Sequence, residues 1–80
     1  MREYNEDEAM ENSYKVIFRG FDPLLMIYEG NGWFAHDFRD NLVKNDIENM
    51  LHYYESKENY SRCIEIKKLI DIQWNLENTK

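Results

Sequence analysis

Cysteine, proline and long apolar runs are scarce in this chain of 80 residues. Cys63 is the single cysteine and cannot form an intramolecular disulfide, so the sequence predicts a protein of the reducing cytoplasm. No apolar stretch approaches the ~20 residues that span a bilayer. Acidic residues also crowd the N-terminus, where a signal peptide would be apolar. We therefore expect neither a membrane segment nor a secretory signal.

Motifs for chemistry are also missing from the sequence. It contains no glycine-rich phosphate loop, no Cys/His spacing for zinc and no paired-carboxylate motif. Glu48, His52 and Glu55 would share one helix face, but a metal site in a helical bundle needs further ligands from facing helices. His36 and Asp37 have no serine or cysteine nucleophile nearby in sequence. We expect a protein without enzymatic activity, cofactor or metal.

The net charge is −6, which opposes direct binding of DNA or RNA and favours basic protein partners. Residues 1–12 contain five acidic side chains and one arginine. A segment of this composition is typical of a disordered, solvated tail. The alternative is an acidic arm that docks on a basic surface, and composition does not separate the two.

The pattern over residues 13–35 favours β-structure. From Ser13 to Arg19 the side chains of Tyr14, Val16 and Phe18 alternate with the others, and the period of two predicts a strand. Residues 23–29 fit either a helix that begins at Asp-Pro or a buried strand. The turn at residues 30–32 leads into Trp33, Phe34 and Ala35, which favours a β-hairpin over residues 24–35.

Residues 42–76 show the apolar spacing of two helices joined by a polar turn at 56–59. Asn41 or Asn45 is the expected N-cap of the first helix. Cys63 falls on the core face of the second, where it is expected to act as a small buried apolar residue. The expected fold is therefore α+β, with short N-terminal strands packed on a C-terminal antiparallel helical hairpin, and residues 13–80 form a single domain. The apolar positions of the two helices are Ile47, Met50, Leu51 and Tyr54, then Tyr60, Cys63, Ile64, Ile66, Ile70 and Trp74.

The hairpin resembles the UVR-type motif over residues 47–72. The second helix begins Tyr-Ser-Arg-Cys-Ile-Glu-Ile-Lys at residues 60–67, with the aromatic, basic, acidic and aliphatic positions of that motif. Ile64, Lys67 and Lys68 depart from it, since the motif usually has alanine, arginine and aspartate there. In UvrB, UvrC and regulators of Clp ATPases the motif is a protein-binding hairpin. The resemblance implies protein binding or self-association, with no chemistry in the hairpin itself.

The second helix has one apolar stripe more than a two-helix hairpin can bury. Leu69, Ile72 and Leu76 form this stripe, which must meet either the N-terminal strands or a partner, as a protein or a second copy of the chain. Trp74 and Trp33 are the expected anchors of such a contact. The sequence therefore predicts an adaptor or regulator that binds a protein through its hairpin. The alternative is an acidic inhibitor, for instance phage-encoded, that occupies the nucleic-acid-binding groove of a host enzyme.

Overall fold

The computed structural model describes residues 4–30 and 32–74. All regular secondary structure in these ranges is helical, in the order α1 (Glu6–Arg19), α2 (Pro23–Tyr28), α3 (Lys44–Ser56) and α4 (Tyr60–Trp74). The predicted α+β class is therefore wrong, because the described residues contain no strand. The chain divides between Leu42 and Val43 into two compact units, and the single domain over residues 13–80 stays a prediction.

Helix α1 begins and ends at local signals. The side chain of Asn5 accepts a hydrogen bond of 3.0 Å from the backbone N–H of Glu8, which satisfies a free donor of the first turn. Glu6, Asp7 and Glu8 place negative charge at the positive end of the helix dipole. The helix ends at Gly20, whose φ of 74° is a left-handed conformation that glycine adopts without steric cost.

Two predictions for the residues of α1 are corrected. Residues 6–12, expected in a disordered tail, form the first half of the helix, with Ala9 and Met10 buried. Residues 13–19, predicted as a strand, form the second half. The buried residues of the whole helix have helical spacing: Ala9, Met10, Ser13 and Tyr14 are three or four residues apart. The alternation of apolar residues in 13–19 is too short to show this spacing.

The predicted strand over residues 24–29 is also replaced by a helix. The carboxylate of Asp22 accepts a hydrogen bond of 3.0 Å from the N–H of Leu24, and Pro23 occupies the first turn of α2. Both residues suit a helix start, since aspartate caps the free N–H groups and proline needs no partner there. The helical alternative that the sequence left open is therefore the correct one.

Residues 33–35 do not pair as a strand, because their backbone bonds to side chains of α1. The carbonyl of Trp33 accepts a hydrogen bond of 3.0 Å from the side-chain amide of Asn12. The N–H of Ala35 donates to the hydroxyl of Ser13 at 2.8 Å. Asn12 and Ser13 are both buried, and these bonds satisfy polar groups that would be costly to bury unpaired. These hydrogen bonds hold residues 33–35 against α1 within the first unit.

In the second unit, α3 and α4 form a helical hairpin where the sequence predicts one. Tyr54 near the end of α3 accepts a hydrogen bond of 3.0 Å from Arg62 near the start of α4, as expected of antiparallel neighbours. The guanidinium also lies 5.2 Å from the centroid of the tyrosine ring, within cation–π range. The N-cap of α3 is Val43, not an asparagine, and it makes no side-chain cap hydrogen bond. The buried side chains are Ile47, Met50, Tyr54, Cys63, Ile66 and Ile70.

The turn between α3 and α4 contains a non-glycine residue in a left-handed conformation. Glu58 has a φ of 57°. Its N–H donates to the carbonyl of Glu55 at 3.0 Å, and the N–H of Asn59 donates to the carbonyl of Tyr54 at 3.0 Å. This pair of bonds is the Schellman motif, which closes the C-terminal end of a helix. Asn59 then starts α4 by accepting from the N–H of Arg62 at 3.4 Å.

Candidate functional site

Large apolar side chains are exposed in the eight residues at and before α2, and we call this cluster the α2 surface. Leu24 and Tyr28 are one helical turn apart and Leu25 is adjacent to Leu24, so the three share an outward face. Met26, on the opposite side of the helix, is buried. The members of the surface and their exposed fractions are Phe21 (49%), Leu24 (68%), Leu25 (55%), Ile27 (43%) and Tyr28 (88%).

The sequence predicts none of these five residues as part of a binding surface. A short apolar run between turn residues predicts burial, as in a core strand. The pair Asp22-Pro23 was the available signal for a helix, but no local signal distinguishes an exposed apolar helix from a buried one.

The α2 surface lies within an acidic unit. Asp22 and Glu29 are exposed at the two ends of α2. Lys15 places a cation at one edge, with its Nζ 5.6 Å from the centroid of the Phe21 ring. Nine acidic and four basic residues precede Val43, whereas seven acidic and six basic residues lie from Val43 onward. Most of the net charge of −6 therefore belongs to the first unit.

Only Leu69 and Ile72 of the predicted apolar stripe of α4 lie within the described residues. Ile72 is exposed and Leu69 is half-buried, one turn apart on the helix. Trp74 is half-buried at the end of α4, and Leu76 lies outside the described residues. The described residues contain no strands on which this stripe could pack. Ile72 is thus an exposed apolar residue of the second unit, and Leu69 beside it is partly exposed.

Trp33, the other predicted anchor, belongs to the first unit. It is half-buried and meets the ring of Tyr4 edge-to-face, with 5.2 Å between ring centroids. Its carbonyl is held by Asn12, so its backbone helps to fasten the segment after α2 to α1. The ring contact and this hydrogen bond give Trp33 a structural role within its own unit.

A serine and a histidine that are distant in sequence meet in the first unit. The hydroxyl of Ser13 lies 2.7 Å from Nδ1 of His36, 23 residues away. Ser13 has no exposed surface and also accepts the N–H of Ala35, so a substrate has no access to its oxygen. The carboxyl of Asp37 accepts a hydrogen bond of 3.0 Å from the backbone N–H of Arg39. This bond lowers the pKa of Asp37. We assign the Ser13–His36 pair a structural role.

The hairpin has a shallow groove of about 330 Å³ along α3 and α4. Nδ1 of His52 lies 3.3 Å from a carboxylate oxygen of Glu55 on the same helix. Within residues 4–30 and 32–74, no three His, Cys, Asp or Glu side chains are grouped to hold a metal ion. Cys63 is buried, and burial raises the pKa of its thiol, which disfavours the reactive thiolate. The groove is lined by Glu48, Leu51, His52, Lys67, Ile70 and Asp71, so it presents both signs of charge.

Comparison of the chain with protein-family models, curated proteins and solved structures gives no match. The resemblance of residues 47–72 to the UVR-type motif stays a prediction. No helix among the described residues is long and apolar enough to cross a membrane.

Proposed function

We propose that this chain is a non-enzymatic adaptor that binds another protein through the α2 surface. With ~200 Å² as the full area of a large apolar side chain, the five residues expose on the order of 600 Å². This is similar to the largest apolar patch on a typical monomer, about 300–600 Å², which is often functional. It also approaches the ~800 Å² that each partner contributes to a standard interface.

The second unit offers a further apolar surface, which supports an adaptor with two contacts. Ile72 is exposed on α4 and Leu69 lies one turn before it. The remaining exposed apolar residues of α4, Tyr60 and Ile64, lie two turns or more before Ile72, so the exposed apolar side chains are more widely spaced there than at α2. The α2 surface is therefore proposed as the primary contact. A cytoplasmic location is part of this proposal and rests on the free Cys63.

Photo-cross-linking in cells that produce the chain tests the proposed function. A photoreactive amino acid in place of Tyr28, the most exposed member of the α2 surface, should form a covalent adduct with one defined protein. The adduct should disappear when Leu24 and Leu25 are both changed to Gln, because this removes apolar contact without adding charge. A photoreactive residue at Gln73, exposed on α4, is the matched control. The same adduct from both positions, or its survival in the double variant, would contradict the proposal.

The charge of the first unit supports a second candidate, an acidic inhibitor that occupies a nucleic-acid-binding groove. Glu6 and Asp7 are exposed in the first turn of α1. Deleting residues 1–12 is unsuitable as a test, because it removes the buried Ala9 and Met10. The variant Glu6→Gln, Asp7→Asn keeps these residues and removes two charges. An inhibitor of this kind should lose affinity for its captured partner in this variant, whereas docking through α2 should be nearly unaffected by the loss of these two charges.

A further inference from the structure

We infer that the partner meets the α2 surface with a helix whose apolar face is bordered by lysine or arginine side chains. This inference rests on the proposed function and adds the chemistry of the partner. Asp22 and Glu29 flank α2, seven residues and therefore about 10 Å apart along the axis. Cations on the partner at this separation would each meet a carboxylate, while the apolar face packs between them.

The shape of the α2 surface favours a helical partner. Leu24 and Tyr28 form a row at spacing i, i+4, with Leu25 beside it, and such rows pack into the grooves between the rows of another helix. A helix of six residues is too short to be stable by itself in water, so tertiary packing, in which Met26 is buried, must hold α2 in place. The apolar ridge is thus formed before binding, which lowers the entropy cost of association.

Charge disfavours the two other occupants of this surface, a second copy and a lipid bilayer. A symmetric contact between two copies would bring together two first units, each of which has nine acidic and only four basic residues. It would also place like charges from Asp22 and Glu29 in one interface. An anionic lipid surface would be repelled by the same carboxylates. Lys15 beside Phe21 supplies a single cation and does not offset them.

Titration of the isotope-labelled full chain with a defined peptide tests the inference by nuclear magnetic resonance. The probe is a synthetic amphipathic helix of about 18 residues with a leucine face and lysine flanks, and its control has glutamate in place of lysine. The lysine peptide should shift the amide signals of residues 21–29 and bind at least about tenfold more tightly than the glutamate peptide. Equal binding of the two peptides, or shifts confined to α4, would overturn the inference.

Apolar variants then test the surface itself. The change Leu24→Gln, Leu25→Gln should weaken binding of the lysine peptide at least about tenfold, since two leucine side chains lose their burial. Tyr28→Gln is a second variant at the most exposed position, in case the double change disturbs α2. The matched control is Ile64→Gln, Ile72→Gln on α4, where the two side chains are 55% and 62% exposed. An equal loss in this control would refute a specific role of α2.

Charge variants test the acidic borders. Asp22→Asn keeps an N-cap on α2, because asparagine caps as well as aspartate, and Glu29→Gln removes the charge at the other end. Together they should weaken binding about threefold to tenfold and flatten its dependence on salt. Unchanged affinity and unchanged salt dependence would show that the carboxylates play no part and would overturn the inference.

Two further measurements distinguish a partner helix from a second copy of the chain and from a lipid bilayer. Light scattering that shows a dimer lost in Leu24→Gln, Leu25→Gln would assign the surface to a second copy and overturn the inference. Binding of the wild-type chain to phosphatidylcholine vesicles, lost in the same variant, would assign it to lipid and also overturn it. If the peptide fails while the Tyr28 adduct still forms in cells, the inference fails and the proposed function stands. Failure of both contradicts the proposed function.

Discussion

Changing Glu58 to glycine should stabilise the hairpin of α3 and α4. The φ of 57° at Glu58 costs a residue with a Cβ about 1–2 kcal/mol relative to glycine. Glycine in turn loses more conformational entropy on folding, which offsets about 0.5–1 kcal/mol of the relieved strain. Glu58 lies between the negative end of α3 and the positive end of α4, so the electrostatic effects of removing its charge largely offset each other. The net expectation is a gain of about 1 kcal/mol, or ~4–8 °C in Tm for a domain of this size.

Two neighbouring variants separate the backbone effect from the charge effect. Glu58→Ala removes the charge and keeps the Cβ, so it should change the stability little. Lys57→Gly places glycine at a residue with φ of −89°, where no left-handed strain exists to relieve, and it should destabilise the hairpin.

Urea unfolding followed by far-ultraviolet circular dichroism measures the free energies of unfolding of these variants. Hydrogen exchange of the Asn59 amide adds a local report, since its N–H bonds to the carbonyl of Tyr54 within the turn. If Glu58→Gly were no more stable than Glu58→Ala, the left-handed backbone would not be a source of strain and the reasoning would be refuted.

Five other substitutions probe the capping, the core and the titration of the chain. Val43→Ser should stabilise the protein by about 1 kcal/mol in urea unfolding, because Val43 has the extended backbone of an N-cap but no cap hydrogen bond. Gly20→Ala should cost about 1 kcal/mol from its φ of 74° alone, since no atom lies within 4 Å of the added Cβ, while Gly32→Ala should be nearly neutral. Ile66→Ala should cost about 2–5 kcal/mol in thermal unfolding, because Ile66 is fully buried. The raised pKa of Cys63 means that the folded state retains the thiol proton longer than the unfolded state, so stability should fall as pH rises above about 8.5. Cys63→Ala should abolish that fall, as measured by urea midpoints across this pH range.

The helical hairpin was predictable from sequence because all its determinants are local. The apolar residues of α3 and α4 recur at helical spacing, and a polar turn separates them. The signals for α1 were equally local, with Asn5 as the cap and Gly20 as the stop. They were outweighed by the alternation of Tyr14, Val16 and Phe18, which has the period of a strand but spans too few residues to exclude a helix.

The exposure of the α2 surface depends on tertiary packing and has no local signal in the sequence. Leu24, Leu25 and Met26 are consecutive apolar residues with similar burial tendencies, yet Met26 is buried and its neighbours are exposed. Which side of a six-residue helix meets the rest of its unit depends on contacts made elsewhere in the chain, and no local pattern records them. The meeting of Ser13 with His36 has the same origin, since a contact across 23 residues forms only when the segment after α2 packs along α1. The positions of the two hairpin helices follow from local residues, because capping and periodicity act over a few positions. Which apolar side chains remain exposed to solvent depends on tertiary packing, because burial involves residues that are distant in sequence.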